Sequence, residues 1–115
     1  MILPGEIYMA DFGAAGPHRV IAVSREELNR GHYALVVVCT SARFSVRSKL
    51  PNCVPFRVGE FGFTAECVAQ CENLLSIHKD QLDLAAGPLG KLDDIALRDV
   101  IKAIGYVIES DCEPL

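Results

Sequence analysis

The residues best suited to chemistry form a short basic segment that follows an apolar run. Residues 41–49 read Ser-Ala-Arg-Phe-Ser-Val-Arg-Ser-Lys, with three cations (Arg43, Arg47 and Lys49) and no acidic residue. Guanidinium and ammonium groups bind phosphate oxygens, and a guanidinium does so through two parallel hydrogen bonds. The segment therefore indicates either a phosphate-binding site or a solvated, mobile loop, which is what most charged runs form.

Cysteine and histidine side chains raise the question of a metal site. Cys67 and Cys71 are four residues apart, but no His follows at zinc-finger spacing, and structural zinc needs four convergent ligands. We therefore expect no metal site. An odd number of cysteines is unsuited to a secreted disulfide framework, so we interpret the cysteines as buried free thiols. The five are Cys39, Cys53, Cys67, Cys71 and Cys112. His32 and His78 are expected to be surface or hydrogen-bonded residues.

Charge is unevenly distributed along the chain. The net charge is −4, yet residues 1–60 hold seven Lys or Arg against five Asp or Glu, whereas residues 61–115 hold four against ten. Binding to a polyanion depends on a local basic patch rather than on the total charge. The acidic total therefore does not exclude a phosphate-rich partner.

Length and hydropathy limit the class of protein. With 115 residues, 50% hydrophobic and 23% charged, the chain fits one soluble domain over residues 1–115. The longest apolar run, residues 34–39, is much shorter than the ~20 residues that a membrane-spanning helix needs. The N-terminus lacks both the basic start and the long apolar stretch that are typical of a secretory signal. We therefore expect a cytoplasmic protein with no membrane partner.

Short strands are expected to position the basic segment. Five segments have the length and residue types of strands, and a sixth is shorter and weaker. They are residues 6–12, 19–24, 33–40, 52–58, 66–71 and 82–84. The third is apolar enough to be buried on both faces, whereas Pro55 predicts that the fourth lies at a sheet edge or is bulged.

A helix is predicted to follow the strands. Asp93 or Asp94 is a plausible N-cap, and acidic residues suit the first turn of a helix. Apolar residues then recur every three or four positions to about Glu109, which places them on one face. They are Leu97, Val100, Ile101, Ile104 and Ile108. The pattern predicts a mainly β fold with α: a small, mostly antiparallel barrel or curled sheet of five to six strands, closed by a C-terminal helix.

Four segments occur in an informative order. Residues 4–12 read Pro-Gly-Glu-Ile-Tyr-Met-Ala-Asp-Phe and residues 18–24 read His-Arg-Val-Ile-Ala-Val-Ser. Residues 35–40 read Leu-Val-Val-Val-Cys-Thr and residues 50–54 read Leu-Pro-Asn-Cys-Val. In this order they resemble the PemK/MazF family of growth-inhibiting toxins, whose matching stretches include a strand ending in a functional Thr and a Leu-Pro-Thr-His-Val run. The similarity continues in register to residue 108.

The resemblance implies an SH3-like barrel, usually a homodimer, that cuts single-stranded RNA without a metal or other cofactor and is inhibited by a cognate antitoxin. Thr40 matches the functional Thr. Counted back from Ser24 without a gap, the family's catalytic Arg falls on His18 and its following Pro on Arg19. Either Arg19 supplies the guanidinium after a one-residue adjustment, or His18 transfers protons while Arg19 binds phosphate; an imidazole has an ordinary pKa of about 6.5.

The resemblance also implies RNA contacts. Arg43, Arg47 and Lys49 would bind phosphates, and Phe44 would stack on a base. Glu72 and Asn73 fall near a Glu-Gln pair of the family, where they would either line the floor of the site or form a turn. Leu75 stands where many relatives have an Arg.

Two other functions stay open. The changed Arg-Pro position and Leu75 would suit a degenerate module that binds RNA or a protein without cutting. A gyrase-inhibiting toxin family shares this fold and acts through the tail of its last helix, commonly with a Trp. This chain has no Trp, and its residues 110–115 are acidic.

Overall fold

Six antiparallel strands form one curled sheet. The computed structural model describes residues 1–109, and in them the strands are β1 (Glu6–Asp11), β2 (Pro17–Ala22), β3 (Tyr33–Thr40), β4 (Cys53–Phe56), β5 (Cys67–His78) and β6 (Gly90–Lys91). They lie in the order β4-β5-β3-β2-β1-β6. The helices are α1 (Phe44–Arg47) and α2 (Asp94–Val107), with 3-10 turns at Gly13–Ala15, Leu28–Arg30, Glu60–Gly62 and Lys79–Gln81. The expected mainly β fold, an SH3-like curled sheet with a C-terminal helix, is confirmed.

The sheet buries residues on both faces, because successive side chains of a strand point to opposite sides. On the helix face, named for α2, Ile21 of β2 and Val37 of β3 pack with Val100. On the far face, the opposite side of the sheet, Val20 and Val36 pack with eight further buried residues. The predicted burial of β3 on both faces is confirmed for residues 36–39, whereas Tyr33 and Leu35 near its start are exposed. Pro55 lies on the edge strand β4.

The N-terminus is fixed on the far face by one carboxylate. The Glu6 side chain accepts hydrogen bonds from the Leu3 backbone N–H at 2.7 Å and from the Tyr8 hydroxyl at 3.0 Å. Burial, together with the hydrogen bond to Glu6 and its negative charge, raises the pKa of Tyr8 to about 12. The hydroxyl therefore stays protonated and keeps donating this bond across the physiological pH range.

Helix α2 begins where the sequence predicts, and its buried stripe is narrower than expected. Asp93 is the N-cap, and its carboxylate accepts the Ala96 N–H at 2.8 Å. Val100 and Ile104 are buried, but Ile101 and Ile108 are 47% and 63% exposed, so the expectation that both share the buried face was wrong. One residue turns a helix by about 100°, so Ile101 projects away from the stripe centred on Val100.

Two strand predictions are corrected. β5 does not end at Cys71 but continues to His78, and Glu72 and Asn73 lie inside it rather than in a turn. Val37 pairs with Leu74 and Val38 with Gln70, so a bulge in β5 absorbs three residues between these pairs. The polar bulge interrupts the alternation from which strand length is read.

The predicted sixth strand is also displaced. Residues 82–84 form no strand, and Leu82 makes only an isolated bridge with Ala10. The sixth strand is Gly90–Lys91, which pairs with β1. A Cβ on Gly90 would lie 1.7 Å from the Phe61 carbonyl oxygen, so only glycine allows the turn at Glu60–Gly62 to pack there. After this turn, Phe63 packs into the helix-face core and Thr64 accepts a hydrogen bond from Arg19. No helix in residues 1–109 has the length and apolar character to cross a membrane.

Candidate active site

Thr40 ends β3 at the margin of the sheet. Its side chain is partly buried, and its hydroxyl oxygen accepts the backbone N–H of Ala42 at 3.2 Å. This local bond uses a lone pair and leaves the hydroxyl hydrogen without an acceptor in residues 1–109. The hydroxyl is therefore fixed in position and can donate to an incoming oxygen.

His18 lies at the start of β2. Its Nε2 is 3.2 Å from the carbonyl oxygen of Ala15, and its ring makes a tilted contact with Phe12 at a centroid distance of 5.9 Å. A carbonyl oxygen only accepts, so this hydrogen bond places a proton on Nε2. In the neutral ring the lone pair is then on Nδ1, where it can accept a proton.

His18 and Thr40 occupy the same end and the same face of the sheet. β2 and β3 pair from Val20–Val38 to Ala22–Val36, and this register, continued by two residues, places His18 opposite Thr40. Both share the side-chain orientation of Val20 and Val38, which is that of the far face. The β2–β3 ladder itself ends at Val20–Val38, so the two side chains lie beyond its last pair.

Arg19 points to the opposite, helix face. Its Nη2 donates to the Thr64 hydroxyl at 3.0 Å, and its buried Nε has no hydrogen-bond partner in the described residues. A pocket of about 60 Å³ adjoins it, and its lining residues are Arg19, Cys39, Ser41, Phe63, Ala65 and Cys67. The structure thus brings His18, and not Arg19, onto the face of Thr40.

The basic segment forms α1 and its flanks. Arg43 precedes α1 in the left-handed conformation, with φ 54° and ψ 39°, and Phe44 is half-buried. Within residues 1–109 no carboxylate lies within 4.0 Å of the side-chain nitrogens of Arg43, Arg47 or Lys49. Three cations without an acidic partner in this part of the chain therefore follow Thr40 closely.

Glu72 and Arg47 converge on one thiol. Burial raises the pKa of Cys53, the negative charge of Glu72 raises it further, and the positive charge of Arg47 lowers it. The β5 bulge thus brings the exposed carboxylate of Glu72 close to the basic segment, since Glu72 and Arg47 both act on Cys53. The half-buried Asn73 follows Glu72 in the bulge. Leu75 instead packs against the far-face core.

The remaining cysteines and histidines lie outside this arrangement. Cys39, Cys53, Cys67 and Cys71 are buried free thiols, as predicted, while Cys112 lies outside the described residues. Residues 1–109 contain no group of three or more metal-ligating side chains.

His32 and His78 stack at 5.8 Å near the start of β3, at the end opposite Thr40. His78 also accepts the Asp80 N–H at 3.1 Å, so it is a hydrogen-bonded histidine, as predicted. The pairing of these two rings, and the contact of Arg19 with Thr64, join residues far apart in sequence and were not predicted.

Comparison with known proteins identifies relatives. A family model described as PemK-like, MazF-like toxin of type II toxin-antitoxin system matches residues 3–108. A search of curated proteins gave no significant match.

Solved structures share the fold. An endoribonuclease in complex with its cognate antitoxin, from a mycobacterial species, superposes with a TM-score of 0.77 at 21% identity, covering 95% of this chain and 96% of that one. The Mycobacterium tuberculosis toxin MazF-mt6 gives 0.75 at 20% identity, covering 90% and 96%. A MazE-MazF structure from Deinococcus radiodurans gives 0.72 at 14% identity, covering 93% and 94%.

Proposed function

Since the chain belongs to the PemK-like, MazF-like family of toxins of type II toxin-antitoxin systems, we propose that it is a metal-independent endoribonuclease that cuts single-stranded RNA, an mRNA interferase. The family match over residues 3–108 carries this proposal. The position of Thr40, at a strand end followed by three cations that have no carboxylate partner in residues 1–109, supports it. A cytoplasmic location is part of the same proposal.

The proposed reaction is attack of a ribose 2′-hydroxyl on the adjacent phosphorus. One group must take the 2′ proton, another must protonate the leaving 5′ oxygen, and fixed donors must meet the negative charge that develops on the phosphorane. The Thr40 hydroxyl hydrogen would donate to a non-bridging phosphate oxygen. His18, with its free Nδ1 lone pair when neutral, would transfer a proton on the same face.

The basic segment would hold the RNA on either side of the cut. Arg43, Arg47 and Lys49 are candidates for phosphate contacts because no carboxylate in residues 1–109 neutralises them. Phe44 would offer a ring to a base, and stacking of this kind contributes about 1–3 kcal/mol per base. Glu72 and Asn73, under the segment, would line the floor of the groove.

Partners follow from the same family. A cognate antitoxin would inhibit the chain, and an extended acidic segment could compete with RNA for the three cations. A homodimer is proposed as well, since Ile101 of α2 and Ile108, which follows it, are 47% and 63% exposed. Large exposed apolar side chains that lie together are typical of a protein interface.

A non-catalytic RNA-binding module is the second candidate. The observation that favours it is that two positions where the family resemblance would supply a guanidinium do not place one beside Thr40: Arg19 points to the helix face, and Leu75 packs against the far-face core. The third function, gyrase inhibition through the C-terminal tail, concerns residues 110–115, which lie outside the described residues.

The test is cleavage of a mixed-sequence single-stranded RNA in excess EDTA by the antitoxin-free protein. Thr40→Val keeps the β-branched shape and removes the hydroxyl, and Thr64→Val makes the same change at the other threonine of the chain. Wild type and Thr64→Val should cut at a few sites and leave cyclic phosphate ends. Thr40→Val should be about 10²–10³-fold slower, as for loss of one donor to a developing oxyanion.

Two outcomes would contradict the proposal. Salt-sensitive RNA binding by folded wild type without any cutting would select the non-catalytic module. Equal cutting by wild type and Thr40→Val would leave an RNase but remove Thr40 from its mechanism.

A further inference from the structure

Two thiols lie together on the helix face, directly behind the strand end that carries Thr40. Cys39 of β3 pairs with Ala69 of β5, and Cys67 is two residues from Ala69 on the same face. Both side chains line the same small pocket. Both residues are buried, at 4% and 5% exposure. The active-site proposal uses neither of them.

A cation and a small pocket adjoin the pair. The positive charge of Arg19 acts on both thiols, and its buried Nε has no partner in residues 1–109. The pocket of about 60 Å³ is lined by Arg19 and both cysteines, and by the exposed residues Ser41 and Ala65 at its rim. A water molecule needs roughly 10–15 Å³ of such space, so a molecule of two or three heavy atoms can enter.

Cys67 differs in acidity from the other buried cysteines. The neighbouring Cys39 thiol lowers the pKa of Cys67, and the Arg19 charge acts in the same direction, while burial opposes both. The pKa of Cys39 is raised, mainly by the neighbouring Cys67 thiol and by burial. In Cys71, whose thiol lies near the carbonyl oxygens of Ala69 and Val100, burial raises the pKa to about 12. Cys67 is therefore the thiol most readily ionised in this core.

We propose that Cys67 and Cys39 are a peroxide-sensitive thiol pair, with Cys67 as the attacking thiol and Cys39 as the resolving thiol. The Cys67 thiolate attacks one oxygen of hydrogen peroxide, breaks the O–O bond and becomes a sulfenic acid, and the departing hydroxide takes a proton to give water. The Cys39 thiol then attacks the Cys67 sulfur and a second water leaves. Two thiols and one peroxide thus give one disulfide and two waters.

Closing this bond should disturb Thr40. Diagonal neighbours on antiparallel strands are about 7–8 Å apart between Cα atoms, whereas a disulfide spans about 4.4–6.8 Å. The ends of β3 and β5 must therefore draw together. Thr40 follows Cys39 directly and pairs with Val68, which precedes Ala69 and follows Cys67. Oxidation should consequently displace the Thr40 hydroxyl and lower activity.

The experiment treats the full, reduced chain with hydrogen peroxide at neutral pH and then blocks remaining thiols with an alkylating agent. Peptide mass spectrometry should find a Cys39–Cys67 cross-linked peptide while Cys53 and Cys71 are still alkylated. Cys67→Ser should prevent the cross-link, and Cys39→Ser should leave a sulfenic acid at Cys67, detectable with a dimedone probe. Cys71→Ser is the matched control and should cross-link as wild type does.

The role of Arg19 is tested by rate. Arg19→Gln should slow oxidation of Cys67 about three- to tenfold, because loss of a nearby cation raises the thiol pKa and the nucleophilicity gained offsets part of this. Arg19→Lys should restore most of the rate. Peroxide modification of Cys53 or Cys71 before Cys67, or pairing of Cys67 with another thiol, would overturn the proposal. Because the readout is mass, it is independent of whether the chain cuts RNA.

Discussion

At the scale of single residues, two neighbours on β2 have opposite surroundings. His18 faces the Thr40 side of the sheet, with its Nε2 held by the Ala15 carbonyl. Arg19 faces the helix side, bonded to Thr64 and beside two thiols. A guanidinium and an imidazole that a sequence places side by side are thus separated by the sheet itself. This separation favours His18 as the group that works with Thr40, with Arg19 acting from behind the strand.

We therefore expect His18→Gln to reduce RNA cleavage about 10²–10⁴-fold, the usual contribution of a general acid or base. Gln keeps a side-chain N–H for the Ala15 carbonyl but cannot transfer a proton. Single-turnover cleavage rates of wild type and His18→Gln measure this effect.

Arg19→Gln is the comparison. It should lower the free energy of unfolding, because it removes the contact between β2 and Thr64, and it should change the cleavage rate much less than His18→Gln does. An Arg19→Gln protein with the wild-type free energy of unfolding that loses cleavage as completely as His18→Gln would instead place Arg19 in the catalytic site.

The residues of the candidate site could be proposed from the sequence, but the face of the sheet on which each side chain lies could be predicted only in part. Thr40 was proposed from the family resemblance, and the cations of residues 41–49 were recognised as a local charge pattern. The contact between Arg19 and Thr64 spans 45 positions and depends on the turn that Gly62 and Gly90 allow. No local pattern encodes such a contact, so the pocket behind Thr40 was not foreseen.

At the scale of elements, the residue that precedes α1 has a backbone conformation that is unfavourable for any residue other than glycine. Arg43 has φ 54°, in the left-handed region that costs a non-glycine residue about 1–2 kcal/mol. This backbone conformation sets the direction in which the chain continues from β3 into α1. Such strain concentrates at functional segments, where the surrounding structure compensates for it.

Arg43→Gly should accordingly be about 1 kcal/mol more stable to urea than Arg43→Ala, because glycine adopts this conformation without a Cβ clash. Both variants lose the same cation, so both should weaken RNA binding equally. The free energy of unfolding from urea titrations gives the first comparison, and fluorescence anisotropy gives the second. Equal stability of the two variants would show that the left-handed conformation carries no strain here.

Elements with a strong pattern were predictable and irregular ones were not. β3 has the predicted bounds, and α2 begins at the predicted cap. β5 was underestimated because its bulge places polar residues within a strand, and β6 was missed because two residues that include a glycine have no strand signal. Both irregular elements depend on packing against strands distant in sequence.

At the scale of the whole molecule, an acidic protein is proposed to bind a polyanion. The net charge is −4, and the excess of acidic residues lies in positions 61–115. Long-range repulsion of RNA should therefore be overcome only by cations at short range, and salt should screen both effects. Binding must then depend on where the cations lie rather than on how many the chain contains.

The dependence of RNA affinity on salt tests this directly. On single strands, log K falls with log salt concentration by about 0.7 per phosphate neutralised. In a Thr40→Val background, where cutting is slow enough for binding to be measured, Arg47→Gln with Lys49→Gln should reduce the slope by about 1.4. Arg25→Gln with Arg30→Gln removes the same charge from the β2–β3 connection, at the opposite end of the sheet, and should leave the slope unchanged. If both pairs changed the slope equally, RNA would be responding to net charge, and the basic segment would have no special part in binding.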